Sequence, residues 1–332
     1  METRGAADRS GRLEPRTSAR RLHGFAPMLR RVRRVLGAAV LGAILGAGVV
    51  APAHAEGGEP ATGKWPQKPH WDPQWSHSNA WDYTLAGVGA TALALEAIFM
   101  QNSQPSLRWT DPILFDREAR DLLRIDNSTS HDVAQTMSWV LWGAQIALPV
   151  AVDVPYAWAR YGFGLARDLF WQDAVTLFVT AALDLALRDL AGRARPFVWE
   201  CIERGGTDCI YGPEAVRSFP GGHFLNSTAA SVLTCTQHLY VHLYGGAWDG
   251  LTCAMTLASD ATVGILRIAT DSHWASDELV GAVAGALLGW GIPYVMHFLP
   301  KSDPDAKPPA ALVLPMPIAL DRGGGLGVAG FF

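Results

Sequence analysis

The sequence predicts an all-α fold, a bundle of about six helices with a candidate β-hairpin in the C-terminal tail. Apolar stretches of helical length recur through the chain, and Val133–Val152 contains no charged residue. Asn127-Ser-Thr-Ser-His-Asp132, just before this stretch, supplies residues that favour a helix N-terminus. Strand signals are sparse before residue 311. These three observations favour a helical bundle.

The expected helices fill a domain over residues 81–300. Three cover Tyr83–Met100, Val133–Val152 and roughly Asp168–Leu190, and three more begin near His223, Trp248 and Ser276. In the tail, residues 301–332, two apolar stretches flank the turn sequence Asp321-Arg-Gly-Gly-Gly. This pattern predicts a hairpin formed by Ala311–Leu320 and Leu326–Phe332.

Composition limits the classes of function. The 332 residues carry a net charge of −4, which provides no basic field for a nucleic-acid partner. Apolar residues make up 49% and charged residues 17%, a more apolar balance than that of a typical soluble enzyme. Val133–Val152 and Leu279–Pro300 are long and uncharged enough to span a membrane. A globular exported bundle and a membrane-associated one both remain open, as does the oligomeric state.

The N-terminus has the three-part layout of a secretory signal. Four arginines between positions 30 and 34 precede the uncharged Val35–Val50, and Ala53-His54-Ala55 supplies a small-residue cleavage site. We expect a signal peptide over residues 1–55, with Met28 as an alternative start and an uncleaved anchor as the alternative fate. Residues 56–80 are expected to form a Pro- and Trp-rich arm. We expect a periplasmic or membrane-associated location. If the site faces the exported side, at least one early helix does not cross the bilayer.

The four cysteines suit an oxidising compartment. Cys201 and Cys209 bracket a Gly-rich loop and are candidates for a local disulfide. Cys235 and Cys253 fall on successive helices and are expected to be free, buried thiols. Because the chain contains no Cys-x-x-Cys pair, no zinc site is expected.

Arginines are the first chemical signal. Arg188, Arg195 and Arg267 each provide a planar fork that suits phosphate oxygens. Arg188 and Arg195 would share a face if one helix continued through both and ended at Pro196. Other polar residues are expected to be structural or solvated: Arg193 and Asp271 as solvated charges, Asp184 and Asp189 as arginine partners, and His238 and His242 as a polar helix face rather than a metal site.

Glycines and histidines complete the pattern. Pro220-Gly221-Gly222 stands just before a helix, where backbone N–H groups and the helix dipole favour an anion. His223 could donate a proton to a leaving-group oxygen. His273 and Asp277 are four residues apart, so on one helix face the carboxylate would hold one imidazole nitrogen protonated and leave the other free to attack.

Together these clusters resemble the motifs of the type 2 phosphatidic acid phosphatase superfamily, which includes lipid phosphate phosphatases, bacterial acid phosphatases and vanadium haloperoxidases. The family motifs K-x6-R-P, P-S-G-H and S-R-x5-H-x3-D correspond here to Arg188–Pro196, Pro220–His223 and Leu266–Asp277. Arg188 replaces the lysine, whereas Gly221 and Leu266 replace serines. The hydroxyl missing at Gly221 is expected to alter rate or substrate preference.

The resemblance implies a helical, haloperoxidase-like fold and a two-step phosphatase that needs no metal or other cofactor. His273 would form a phosphohistidine, His223 would protonate the leaving alcohol, and Asp277 would orient His273. The phosphate would be held by Arg188, Arg195, Arg267 and the amides of Gly221 and Gly222. A lipid phosphate or diphosphate is the expected substrate, and a small soluble phosphoester remains open. The alternatives are a vanadate-dependent haloperoxidase, with vanadate bound to His273, and a non-catalytic lipid or anion binder.

Overall fold

A computed structural model describes residues 69–99 and 106–300, together with the backbone of residues 312–320 and 323–331. The predicted signal segment and the start of the arm lie outside the described residues. Six long helices form the bundle: α1 (Ala80–Phe99), α3 (Ser128–Leu148), α5 (Phe163–Ala191), α7 (Gly222–Val241), α8 (Ala247–Ala269) and α9 (Ala275–Pro293). The all-α prediction is confirmed, with helix starts close to those expected.

Shorter elements connect the long helices. Three helices of eight residues each are α2 (Asp116–Leu123), α4 (Val154–Tyr161) and α6 (Pro196–Glu203). Two π-helical turns, Pro149–Asp153 and Tyr294–Phe298, extend α3 and α9, and a 3-10 turn covers Pro213–Val216. Asn127 caps α3 as expected, because its side chain accepts a hydrogen bond from the Ser130 N–H at 3.0 Å.

The tail forms two paired strands, β1 (Leu312–Leu320) and β2 (Gly323–Phe331). They run antiparallel, with Leu320 opposite Gly323 and Leu312 opposite Phe331. The second strand begins three residues before the predicted Leu326, and it takes in the glycines that the sequence pattern assigned to the turn.

Helix α7 lies at the centre of the bundle and packs against α5, α8 and α9. Its contact with α9 depends on three glycines of α9 spaced four residues apart, Gly281, Gly285 and Gly289, which share one helix face. A Cβ atom on Gly285 would lie 2.4 Å from the Leu225 carbonyl oxygen, and one on Gly289 would lie 2.3 Å from that of Ala229. The backbones of α7 and α9 therefore lie too close together for a Cβ atom to fit at these positions.

This approach gives a stability prediction. The Gly289→Ala variant should lower the free energy of unfolding by about 2 kcal/mol, because a methyl group there forces α9 away from α7. A Cβ atom on Gly291 in the same helix would meet no atom within 4 Å, so Gly291→Ala should be neutral or slightly stabilising. Thermal unfolding of both variants in one detergent tests this; equal unfolding midpoints would contradict it.

Three helical segments of the described chain are long and apolar enough to cross a membrane. They are Ser128–Tyr161, Ala247–Ala269 and Ala275–Phe298, and their most apolar windows are only 22, 33 and 22% buried. These segments are identified by their length and composition alone. Two of them overlap the stretches expected from the sequence, and Ala247–Ala269 is a third that was not expected. So much exposed apolar helix surface indicates membrane association.

Two local predictions are wrong. The helix that carries Arg188 does not continue to Pro196: α5 ends at Ala191, and Gly192 adopts a left-handed conformation with φ of 56°. Pro196 instead begins α6. Cys235 and Cys253 are not free thiols but form a disulfide between α7 and α8. Cys201 and Cys209 are also bonded to each other, as expected for the loop that they bracket.

Candidate active site

The three sequence clusters meet at one cavity of about 620 Å³ between α3, α5 and the start of α7. Five of the predicted site residues line it: Arg188, Arg195, Gly222, His223 and His273. Arg267 and Asp277 are almost wholly buried behind this wall. The fold therefore gathers the clusters by bringing the end of α5, the start of α7 and the turn between α8 and α9 together.

His273 is 3% exposed and lies in the turn before α9. Its Nδ1 atom is 2.6 Å from the carbonyl oxygen of Ser218. Because a carbonyl can only accept, Nδ1 carries the proton. Nε2 keeps its lone pair, which accepts a long hydrogen bond from Arg267 Nη2 at 3.4 Å. Burial, then the charges of Arg267 and Arg195, hold the pKa of His273 well below its usual value, so the ring is neutral.

Asp277 does not contact His273 in the way that the sequence predicted. Helix α9 begins only at Ala275, so His273 lies outside the helix and the spacing of four residues does not align the two side chains. Asp277 pairs instead with Arg193, and its Oδ2 accepts a hydrogen bond from the Ser218 hydroxyl at 2.6 Å. Its effect on His273 passes through Ser218.

His223 lies in the first turn of α7, facing both His273 and the aromatic wall of α3. Its ring centre is 6.4 Å from that of His273, 5.2 Å from that of Trp142 and 4.1 Å from that of Trp139. Burial, followed by Arg267, Arg195 and Arg188, lowers the pKa of His223 to about 2. The imidazole is therefore neutral, and an anion bound beside these arginines would offset their charges and raise its pKa.

The buried arginines have hydrogen-bond donors to spare. Within the described part of the chain, Arg195 Nε and Arg267 Nε and Nη1 have no partner. Arg267 Nη2 lies 3.4 Å from His273 Nε2, and Arg195 lies on the cavity wall. Buried donors without acceptors are costly, so such groups around a cavity indicate that an anion completes the site.

The two glycines of the second cluster have different structural roles. Gly221 has φ of +77°, and a Cβ atom there would lie 3.1 Å from the Asp277 carbonyl oxygen and from Glu278 Oε2. A serine in this conformation would be strained and would point at α9. At Gly222 a Cβ atom would lie 2.5 Å from both carboxylate oxygens of Asp184. The glycines thus allow α7 to begin tightly packed between α5 and α9.

Several important side chains were missed or misjudged in the sequence. Arg193, expected to be solvated, is fully buried and bonds Asp116 at 2.7 Å and also Asp277 and Ser276. Asp271, also expected to be solvated, is 8% exposed and pairs with Arg120 at 2.7 Å. Their positions inside the motifs were the only signal that could have identified them.

Four further charged residues lie in or beside the cavity: Glu214 and Arg217, for which no role was expected, and Asp184 and Asp189, which were expected only as arginine partners. Glu214 and Arg217 line the cavity, and the position of Arg217 just before Ser218 was the available clue. Asp189 pairs with Arg217 at 2.6 Å, as expected for an arginine partner. Asp184 accepts a hydrogen bond from Asn226 at 3.0 Å, and burial raises its pKa to about 6 despite the attraction of Arg188.

His238 is buried and not part of a solvated helix face. Its Nδ1 is 2.7 Å from Asp249, and its Nε2 is 3.5 Å from Asp153. His242 ends α7 in a left-handed conformation, with φ of 54°. Across the residues that the structure describes, no group of three or more histidine, cysteine or acidic side chains could hold a metal ion.

Residues 170–301 match the family model of the PAP2 superfamily, and this segment contains all three clusters. This segment of the chain is similar to the PAP2 superfamily. No curated protein and no solved structure matches the chain. This similarity supports a phosphatase- or haloperoxidase-like function. Helices α1 to α4 precede the matched segment, although Leu93, Trp139 and Trp142 from α1 and α3 complete the cavity.

Proposed function

We propose that the protein is an exported, metal-independent phosphatase that hydrolyses a lipid phosphate or diphosphate through a phosphohistidine on His273. One observation carries the proposal: a single cavity joins two histidines and three arginines to a long apolar wall. A phosphate group suits the charged end, and a hydrocarbon chain suits the remainder.

The apolar wall follows single faces of two helices. On α5, Phe170, Ala174, Leu177, Phe178 and Ala181 lead to Asp184 and Arg188 at the charged end. Along α3 and the π-helical turn that extends it, Trp139, Trp142, Ile146 and Val150 recur every three or four residues. From residue 170 to residue 188 the α5 face is roughly 27 Å long, at 1.5 Å per residue. A substrate with a phosphate at one end and a long apolar chain fits this arrangement better than a small ester does.

In the first step, Nε2 of His273 attacks phosphorus while the bond to the leaving oxygen breaks. The Nδ1–H donates to the Ser218 carbonyl, which stabilises the positive ring that forms. His223 gives its proton to the leaving oxygen, having gained that proton once the phosphate offsets the nearby arginines. Arg195, Arg188 and Arg267 stabilise the charge on the equatorial oxygens.

In the second step, water attacks phosphorus and the bond to His273 breaks. His223 is neutral after the first step, so it can accept a proton from that water. Inorganic phosphate leaves and His273 regains its lone pair. Each step uses groups that already line or border the cavity.

Location on the exported side rests on the sequence and on the cysteines. The two disulfides, Cys201–Cys209 and Cys235–Cys253, are of the kind that persists in oxidising compartments. The three apolar helical segments would keep the protein at the membrane, where a lipid substrate is found.

The Ala181→Leu variant tests the lipid assignment. The larger side chain narrows the apolar wall, so kcat/KM for a detergent-dispersed lipid phosphate should fall about tenfold while that for a small aryl phosphate stays within about twofold. Ala186→Leu on the exposed side of α5 is the matched control and should change neither value. Equal losses on both substrates would contradict a role of this wall in binding a chain.

A further inference from the structure

Glu214 places a carboxylate against the arginines of the candidate site. It belongs to the 3-10 turn Pro213–Val216 and lines the cavity. Its Oε2 accepts a hydrogen bond from Arg195 Nη2 at 2.8 Å, and its Oε1 accepts one from Arg217 Nη1 at 3.2 Å. The cavity therefore contains an internal anion bound to a guanidinium group that the proposed function assigns to substrate.

The carboxylate bonds one of the two nitrogens that phosphate would use. A guanidinium binds an oxyanion side-on through Nε and the neighbouring Nη2, which donate two parallel hydrogen bonds. On Arg195, Glu214 takes Nη2, while Nε has no partner among the described residues. Because Nη2 carries a second N–H group, a phosphate that binds this edge with two oxygens would lie beside the Glu214 carboxylate, and the repulsion between the two anions favours the departure of Glu214.

Exposure shows which partner can move. The Glu214 side chain is 54% exposed, whereas those of Arg195 and Arg217 are 13 and 6% exposed. Glu214 can turn into solvent with little loss of hydration. Arg217 would keep its two bonds to Asp189, at 2.6 and 3.2 Å. Burial tends to raise the pKa of Glu214, but Arg195, Arg188 and Arg217 outweigh it and lower the pKa, so the side chain is an anion at neutral pH.

We propose that Glu214 competes with phosphate for Arg195 and thereby speeds release of the phosphate product; this inference rests on the proposed function. Between turnovers the carboxylate holds Arg195 Nη2. Substrate displaces it towards solvent, and its return to Arg195 displaces the product. Glu214 makes no covalent bond and transfers no proton in this exchange.

The competing interpretation is that Glu214 only holds Arg195 in position. The two interpretations predict effects of opposite sign. If Glu214 competes, its removal frees Nη2 and relieves repulsion of the bound anion, so phosphate binds more tightly. If it only positions Arg195, its removal lets the guanidinium move, so phosphate binds more weakly.

The test is calorimetric titration of the full chain in detergent with inorganic phosphate and, separately, with orthovanadate. The Glu214→Gln variant should bind both with a Kd about tenfold lower than the wild type, a change typical of removing one like charge from an anion site. Its turnover should be inhibited by correspondingly lower phosphate concentrations. Glu203→Gln changes the net charge equally at an exposed position on α6 and should leave both values within about twofold.

Unchanged or weaker binding by Glu214→Gln would overturn the inference, and so would an absence of phosphate binding by both proteins. Phosphate release from lipid substrates by the same wild-type preparation is measured separately. If the wild type releases no phosphate from any substrate but Glu214→Gln binds the anion more tightly, the proposed function fails and the competition stands. If release occurs and the affinities are equal, the competition fails and the proposed function stands.

Discussion

The His273→Ala variant is expected to lose phosphate release by at least about 10⁴-fold, because it removes the proposed nucleophile. The imidazole has the features that this role requires: its Nδ1–H is bound to the Ser218 carbonyl, and its Nε2 carries the lone pair and faces Arg267 Nη2 at 3.4 Å. Steady-state release from a detergent-dispersed lipid phosphate measures the loss. The thermal unfolding midpoint establishes that the variant is folded.

The His242→Asn variant is the matched control for this test. His242→Asn changes an exposed histidine to a residue that tolerates the same left-handed conformation, so its activity should equal that of the wild type. Full activity of folded His273→Ala would refute the proposed mechanism. Phosphate binding by both proteins without turnover by either would favour the non-catalytic binder, and vanadate-dependent halide oxidation by the wild type would favour the haloperoxidase.

The Arg193→Met variant is expected to lower the free energy of unfolding by about 3–5 kcal/mol, because it leaves buried carboxylates without their cation. Arg193 is completely buried, bonds Asp116 and Asp277, and places its guanidinium 3.9 Å from the ring centre of Trp109. These contacts join α2, the turn after α5 and the start of α9. Their loss should loosen the turn that holds His273.

Arg204→Met provides the control for this prediction. Arg204 also pairs with a carboxylate, that of Glu200, but its side chain is 76% exposed. Its replacement should change the free energy of unfolding by no more than about 0.5 kcal/mol. Urea unfolding of both variants in the same detergent gives the comparison. Equal stabilities would mean that the buried pairs of Arg193 contribute no more than a surface ion pair.

Much of the fold could be predicted because its signals are local. Each long helix coincides with an apolar stretch of helical length, and Asn127 marks a helix start through its own side chain. The second cluster could be identified for a similar reason. Two glycines just before an apolar stretch indicate a turn followed by a helix, and α7 begins at Gly222. The three clusters meet at one cavity because of the order in which the helices pack in the bundle.

What failed depends on packing between distant segments. The expected His273–Asp277 contact assumed one continuous helix, but α9 begins two residues after His273. The Cys235–Cys253 disulfide depends on where α7 and α8 touch, which places the two Cα atoms 4.5 Å apart. Arg193 is buried because Asp116, 77 residues away in sequence, supplies a partner. Glu214 carries no motif, and only its approach to Arg195 identifies it.

The central claim is that His273 carries the phosphoryl group during turnover. The most direct measurement is to mix the full chain with a lipid phosphate, quench within the first turnovers under alkaline conditions that preserve phosphohistidine, and locate the modification by peptide mass spectrometry. We expect one added phosphoryl group on the peptide that contains His273, and none in His273→Ala. Sustained phosphate release by the wild type with a phosphoryl group on another residue, or on none, would contradict it.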